Sequence, residues 1–148
     1  MTTATKLPMK LSDRTINLLK NFATINQSIL FKQGKSLRTI SVMKNILAEA
    51  NVDEDFPQEF GVYDLSQFLN SLGLFQEPEL NFTGESFVNI KEGKQRSKYF
   101  FADPSVIVSP PEKSITLPSV DVEFTLRSSQ LDRLLKAAGV YHLTDLSV

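Results

Sequence analysis

Two short segments carry side chains that are typical of catalytic or ligand-binding sites. Gly34–Ser36 matches the last residues of a phosphate-binding loop, but such a loop also needs a glycine at position 29, where Ile29 stands, and a helix afterwards. Asp53–Asp55, with Glu59 nearby, offers carboxylates for a metal ion or for acid–base catalysis in a hydrolase, although its spacing is not that of a calcium loop. We therefore interpret the first segment as a hairpin turn and the second as a solvated linker.

The composition excludes several other kinds of chemistry. The 148 residues include no cysteine and one histidine, His142, so a disulfide framework, a thiolate metal site and a multi-histidine site are impossible. We expect no catalytic activity, no metal and no cofactor. Met1–Lys6 lacks the apolar core of a signal peptide, and no apolar run approaches the length of a membrane span, which predicts an intracellular protein without a membrane partner. Because the formal net charge is −1, any nucleic-acid-binding surface must collect its positive charge on one face.

Internal repetition is the strongest signal in the chain. Leu18–Ile25, Phe68–Phe75 and Leu134–Tyr141 have nearly the same pattern of apolar and polar residues. Each predicts an amphipathic helix after an alternating strand, and three further strand-like runs follow the first two. The repeated unit is β-α-β-β-β, which predicts an α+β fold with helices on one face of antiparallel sheets. Such units build a surface rather than a pocket, and a surface suits an extended partner.

The first unit begins with alternating residues over Leu7–Leu11. Ser12 then supplies a preferred N-cap residue, and a helix is predicted over 13–25. Strands are predicted near 28–32, 37–43 and 46–52. The acidic linker 53–57 leads to the second unit.

The second unit begins with a strand over 60–63. Asp64, with Gln67 three residues later, predicts a helix start similar to a capping box, and Gly73 is placed for a left-handed helix end. Strands are predicted near 79–82, 86–90 and 96–102, with a hairpin turn at 91–94.

A proline- and serine-rich connector separates this part from a third copy. Within it, Val106, Ile107 and Val108 form an apolar island that either covers a seam of the core or forms a pocket for a partner peptide. Beyond it, alternation over 120–126 predicts a strand, and Ser128 and Gly139 bound a helix. The predicted organisation is an N-terminal extension (1–8), a domain of two units (9–103), a connector (104–118) and an incomplete second domain (119–148).

The polar faces of the three helices have two interpretations. Helices that rest on a sheet always turn hydrophilic residues outward, so these faces are compatible with ordinary solvated surface. Basic residues nevertheless recur at related points of the first and third helices, while the second helix is neutral, which favours a repeated binding surface. With Lys10 added from the preceding strand, the candidate set is Lys10, Arg14, Asn17, Lys20, Asn21, Gln67, Asn70, Arg133 and Lys136.

Two segments carry a resemblance to a known family. One runs from Met9–Ser12 through Leu18–Asn26, and the other runs from Ala102–Ser105 through the connector to Pro118; Tyr63–Leu65 and the helix behind it fit the same pattern. In these segments the chain resembles the DNA polymerase sliding clamps, or processivity factors, of T-even-type tailed phages.

The resemblance implies a specific architecture and function. A subunit of that family has two domains of two β-α-β-β-β units each, and three subunits close head to tail into a ring whose helices line the hole. The ring encircles duplex DNA without sequence preference, holds the DNA polymerase to its template, is opened by an ATP-driven clamp loader, and is not an enzyme. It works in the cytoplasm of the infected bacterial host and also assists late transcription. By this resemblance the candidate set faces the DNA.

The chain departs from the family in length. It holds one whole domain and about a third of a second, whereas each contact of a head-to-tail ring joins a first domain to a second domain. We expect the sequence to be part of a longer reading frame. The alternative hypothesis is a phage structural or assembly protein that uses the same units for self-association.

Overall fold

From the first helix to the last strand, the elements follow one another in the order that the repeats predict. The computed structural model describes residues 7–84 and 86–148, so residues 1–6 of the predicted N-terminal extension lie outside the described part. Its elements are, in chain order, α1 (Asp13–Ile25), β1 (Ile29–Phe31), β2 (Gly34–Ile40), β3 (Leu47–Phe56), β4 (Phe60–Val62), α2 (Leu65–Leu72), β5 (Glu79–Phe82), β6 (Phe87–Glu92), β7 (Gln95–Phe100) and α3 (Ser128–Tyr141). The predicted α+β class is confirmed. These residues divide into two compact units, one up to residue 112 and one over 113–148.

All strand pairs of the first unit are antiparallel. β1 pairs with β4, β2 pairs with β3, and β5, β6 and β7 form a three-stranded sheet in that order. The predicted strand over 7–11 is reduced to one bridge, in which the Met9 N–H donates to Leu80 O at 2.9 Å and the Leu80 N–H donates to Met9 O at 2.7 Å. Pro8 offers no N–H to extend this ladder, and Ser12 already caps α1.

The core lies between the helices and the inner faces of the strands. Leu19 and Phe22 of α1 are buried, as are Leu65, Phe68 and Leu69 of α2. Each such side chain contributes about 1.5–3 kcal/mol when fully buried. A cluster of aromatic rings fills the space between the strands and is formed by Phe31, Phe56, Phe60, Phe82 and Phe101.

The predicted acidic linker over 53–57 is wrong, because residues 53–56 are the last part of β3. Val52, Glu54 and Phe56 alternate with exposed residues, so the strand period continues through the acidic segment and turns Glu54 inward. A strand tolerates an inward carboxylate only where donors satisfy it, and two donors meet Glu54 at the start of α1.

The predicted left-handed end of α2 at Gly73 is also wrong. Gly73 has φ −67° and ψ −12°, which is right-handed backbone. Turn hydrogen bonds follow it, since the Leu74 N–H donates to Ser71 O at 3.4 Å and the Phe75 N–H donates to Leu72 O at 3.1 Å. A tightened last turn therefore satisfies the carbonyl groups that a left-handed residue would otherwise cap.

The second compact unit contains α3 but no strand among its described residues, so the strand predicted over 120–126 is wrong. Alternation favours a strand only where a neighbouring strand accepts its hydrogen bonds, and no strand pairs with this segment in the described chain. Helix α3 begins after Arg127 rather than after Ser128, and it passes Gly139 to end at Tyr141, which is followed by His142 with a left-handed φ of 55°.

Candidate nucleic-acid interface

Helix α1 presents a polar face whose side chains are held by a well-formed helix start. The Ser12 hydroxyl accepts the Thr15 N–H at 3.2 Å, as the sequence predicts, and Leu19 and Phe22 fix the opposite face in the core. The exposed side chains of this face are those of Asp13, Arg14, Asn17, Lys20, Asn21 and Thr24. Among the described residues, neither Arg14 nor Lys20 has an ion-pair partner.

Glu54 fastens the start of α1 to β3. Its Oε1 accepts the Ser12 N–H at 2.7 Å, and its Oε2 accepts the Thr15 hydroxyl at 2.7 Å. Burial alone would raise the pKa of the Glu54 carboxyl, but these hydrogen bonds outweigh it and hold the pKa below its ordinary value of 4.5. The carboxylate also lies at the positive end of the helix dipole, so its negative charge favours the folded helix start.

Helix α2 lies beside α1 and continues the polar face without adding charge. Asp64 caps it, because its Oδ1 accepts the Gln67 N–H at 3.0 Å, as predicted from the sequence. Gln67 and Asn70 are exposed. Lys20 and Asn70 line one shallow groove between the two helices, with Ile16 and Leu69 among its apolar residues. The structure thus brings the candidate residues of α1 and α2 onto neighbouring helices.

Lys10 differs from the other candidates because it has an acidic partner. Its Nζ lies 3.3 Å from Oε2 of Glu77, and both side chains are exposed. Ion pairs of this kind contribute about 0–1 kcal/mol, so a phosphate can compete for the lysine, but Lys10 adds less free positive charge than Arg14 or Lys20.

Arg133 and Lys136 lie on α3, in the second compact unit. They are three residues apart and therefore project from the same side of that helix, and both side chains are exposed. Their predicted role remains a prediction.

The apolar island of the connector is divided between core and surface. Ile107 is only 7% exposed and covers the core, and its Cδ1 would lie 2.7 Å from a Cβ added at Gly61. Val106 is exposed and Val108 is half-buried. The core-seam interpretation describes Ile107, whereas a partner-binding role of Val106 and Val108 stays a prediction.

Two polar residues that sequence reasoning missed hold the connector to the first unit. Asn26 Nδ2 donates to Ile40 O at 2.9 Å and to Val108 O at 3.3 Å. Arg38 Nη1 donates to Pro111 O at 2.7 Å, and its Nε lies 3.4 Å from Oε2 of Glu49. The contacts with Val108 and Pro111 join residues more than 70 positions apart, so no local pattern could reveal them. Glu54 had a local signal, namely its place in the alternation of β3.

The other chemistry considered from the sequence finds no support in the geometry. Gly34–Ser36 begins strand β2, and no helix follows it, so the element that a phosphate-binding loop requires is missing. In the described part of the chain, no group of three or more His, Cys, Asp or Glu side chains is arranged to hold a metal ion. No helix there is long and apolar enough to cross a membrane.

Comparison with known families decides what kind of protein carries this surface. The family model described as DNA polymerase processivity factor matches residues 10–109, which is more than half of the chain. The chain belongs to this family. The processivity-factor match contains α1 and α2 with every candidate residue on them, whereas Arg133 and Lys136 lie beyond it.

Three curated relatives of this chain are sliding clamps of phages. It is 37% identical over 142 residues to the sliding clamp of Escherichia phage RB69 and 36% identical over 142 residues to that of Enterobacteria phage T4. It is 34% identical over 142 residues to the sliding clamp of Vibrio phage KVP40. Each match covers 95% of this chain but only 61–64% of the relative, so the chain spans less than two thirds of their length.

Proposed function

We propose that this chain forms part of a sliding-clamp subunit that encircles duplex DNA and tethers a DNA polymerase to its template. The observation that carries the proposal is the shared polar face of α1 and α2. Beyond Asp13 at its start, this face exposes only basic and uncharged residues, and the basic ones have no ion-pair partner among the described residues.

A sliding clamp needs only a few basic residues on the surface that faces DNA. A ring holds DNA by topological linkage, so its contacts need not be strong, and strong contacts would stop it from sliding. Arg14 and Lys20 attract phosphates by releasing counterions, which is independent of sequence and sensitive to salt. Asn17, Gln67 and Asn70 interact with phosphates directly or through water.

The domain organisation proposed with this function is one domain over 9–103, a connector over 104–118 and the beginning of a second domain over 119–148. The division between the two compact units falls after residue 112, inside the proposed connector, which supports the proposal.

The partners of the proposed clamp subunit would be a DNA polymerase, an ATP-driven clamp loader and further copies in a head-to-tail trimer. Such a clamp acts without catalysis, in the cytoplasm of an infected bacterium, and assists late transcription.

The double substitution Arg14→Ala and Lys20→Ala tests the DNA-facing role of α1. We expect weaker binding of a labelled duplex at low salt, and the slope of log affinity against log salt should be shallower by about 1.8, because each lost phosphate contact removes about 0.9. Fluorescence anisotropy over a salt series measures both quantities.

A matched control removes the same charge elsewhere on the first unit. Lys35 and Lys44 are exposed on β2 and on the turn after it, away from α1 and α2 in sequence. Their double substitution to alanine should change the slope far less. Equal slopes for the two double variants would contradict the proposed role of Arg14 and Lys20.

A further inference from the structure

One face of the sheet of β5, β6 and β7 packs on α2, and the opposite face is exposed. Val88 and Ile90 of β6 point into the core, and the Tyr99 ring of β7 packs edge-on against Phe68 of α2 at 5.0 Å. Their sequence neighbours therefore project to the other side of the sheet. We name this side the outer platform and define it by Phe87, Lys91, Arg96, Lys98 and Phe100.

Two phenylalanine rings form one end of the outer platform. Phe87 and Phe100 face each other across β6 and β7, with ring centroids 5.8 Å apart in an edge-to-face arrangement. Phe100 is 67% exposed, although Phe82 and Phe101 nearby are drawn into the core cluster. A large aromatic ring left in water at a strand position has a flat face available for a partner.

Basic side chains continue from the rings along the platform. Lys98 Nζ lies 4.5 Å from the centre of the Phe87 ring, and Lys91 is paired in register with Arg96. Arg96, Lys98 and Phe100 are alternate residues of one strand, so they form a row about 13 Å long. Among the described residues, neither Lys91 nor Arg96 has an ion-pair partner.

Acidic residues offset part of this positive charge at the Lys91 end of the platform, where Glu77, Glu79 and Glu92 line one groove with Lys91. Glu92 Oε2 accepts the Glu77 N–H at 2.6 Å, which directs that carboxylate to the backbone before β5. Glu79 lies opposite Lys91 in the strand register, but no ion pair joins them in the described structure. The platform therefore combines exposed aromatic rings with a row of cations.

We propose that the outer platform binds single-stranded nucleic acid. Every nucleotide of a single strand brings a phosphate for the cationic row and a flat, unstacked base for the rings, and exposed aromatic residues on a sheet are a recurrent way of stacking such bases. Duplex DNA keeps its bases stacked inside, so it could not use Phe100. An acidic peptide would use the cations without supplying a flat ring at each position. This site goes beyond the duplex-binding role proposed for α1 and α2.

The test measures binding of the 148-residue chain to a fluorescein-labelled oligothymidylate of about 20 nucleotides and to a duplex of the same length. We expect Phe100→Ala to weaken oligothymidylate binding at least about fivefold, because base stacking on one aromatic ring contributes that much or more. Lys98→Ala should make the single-strand salt slope shallower by about 0.7. Phe100 is exposed, so its variant should melt at an unchanged temperature, and a melting curve checks this.

Two controls make the result specific to the platform. Lys35→Ala removes one exposed charge from β2, outside both proposed binding surfaces, and should leave oligothymidylate binding nearly unchanged. A labelled peptide of alternating glutamate and phenylalanine should bind more weakly than the oligothymidylate. Tighter binding of the peptide, equal loss in the Lys35 and Phe100 variants, or no binding of the oligothymidylate at low salt would each overturn the proposal.

Discussion

At the scale of single residues, Glu54 shows how a charged side chain can fix the geometry of a proposed binding surface that it does not belong to. Its carboxylate accepts two donors at the beginning of α1, a place where backbone N–H groups have no partner within the helix. The side chain is 8% exposed, so water cannot replace these bonds without opening the junction of β3 and α1. Glu54 thereby holds the helix that presents Arg14 and Lys20.

Substitution of Glu54 by glutamine should lower the free energy of unfolding by about 1–3 kcal/mol at neutral pH, because one hydrogen bond to a buried charged acceptor is lost. The folded-state pKa of Glu54 is below 4.5, so its contribution is fully present above that pH and is lost as the pH falls through the folded pKa. The stability difference between wild type and variant should therefore shrink on acidification. Denaturant unfolding at a series of pH values measures it.

Asp55→Asn is the matched control for this experiment, since Asp55 is the exposed neighbour of Glu54 on the same strand. It should change stability by less than about 0.5 kcal/mol at any pH. A Glu54 variant that is as stable as the Asp55 variant at neutral pH would show that the capping contact does not stabilise α1.

At the scale of elements, the sequence predicted correctly those features that depend only on neighbouring residues, such as helix caps and the bounds of some helices and strands. The bounds of α1 and β5 match the sequence prediction, and Ser12 and Asp64 cap the helices as expected, because each depends on a few neighbouring residues. The strand over 120–126 was wrong because a strand also depends on a partner. The exposed faces of α1 and α2 could be predicted from their periodicity, but their packing side by side depends on long-range contacts.

The connector packs closely against strand β4 at Gly61, and one added methyl group there should disturb this packing. A Cβ at Gly61 would lie 2.7 Å from Ala102 O and 2.7 Å from Ile107 Cδ1, and the carbonyl oxygen belongs to backbone that cannot simply rotate away. We expect Gly61→Ala to lower stability by about 1–3 kcal/mol through overpacking. The Ala102 N–H, which donates to Gly61 O at 2.9 Å, should also exchange with solvent faster.

Gly139→Ala is the control, because nothing lies within 4 Å of a Cβ added there. Gly139 is inside α3, so alanine should stabilise that helix by up to about 1 kcal/mol. Native-state hydrogen exchange followed by NMR distinguishes the two variants residue by residue. Unchanged exchange at Ala102 in the Gly61 variant would contradict the proposed tight contact with the connector.

At the scale of the whole molecule, two features bear on assembly. The formal net charge is −1, so attraction to DNA depends on where the basic residues lie rather than on the total charge. The second compact unit exposes a large apolar set, which includes Leu131, Leu134 and Leu135 of α3. The remainder of the proposed second domain would cover such side chains, and so would a neighbouring subunit of a clamp ring or another copy of a self-associating structural protein.

Retention on circular and linear DNA separates these two assemblies, because only topological linkage depends on whether the DNA has ends. We predict that assemblies of the complete subunit to which this chain belongs, loaded with ATP by a clamp loader, stay on nicked circular DNA through a high-salt wash and leave after the DNA is cut. Salt removes counterion-driven contacts but cannot break a closed ring, so the wash isolates the topological component. Proteins bound at both ends of the linear DNA should restore retention, as measured by gel filtration of the labelled complexes. The Arg14 and Lys20 variant should lower the amount loaded while keeping the dependence on DNA ends. Equal retention on circular and linear DNA, or retention without loader and ATP, would instead favour a phage structural or assembly protein.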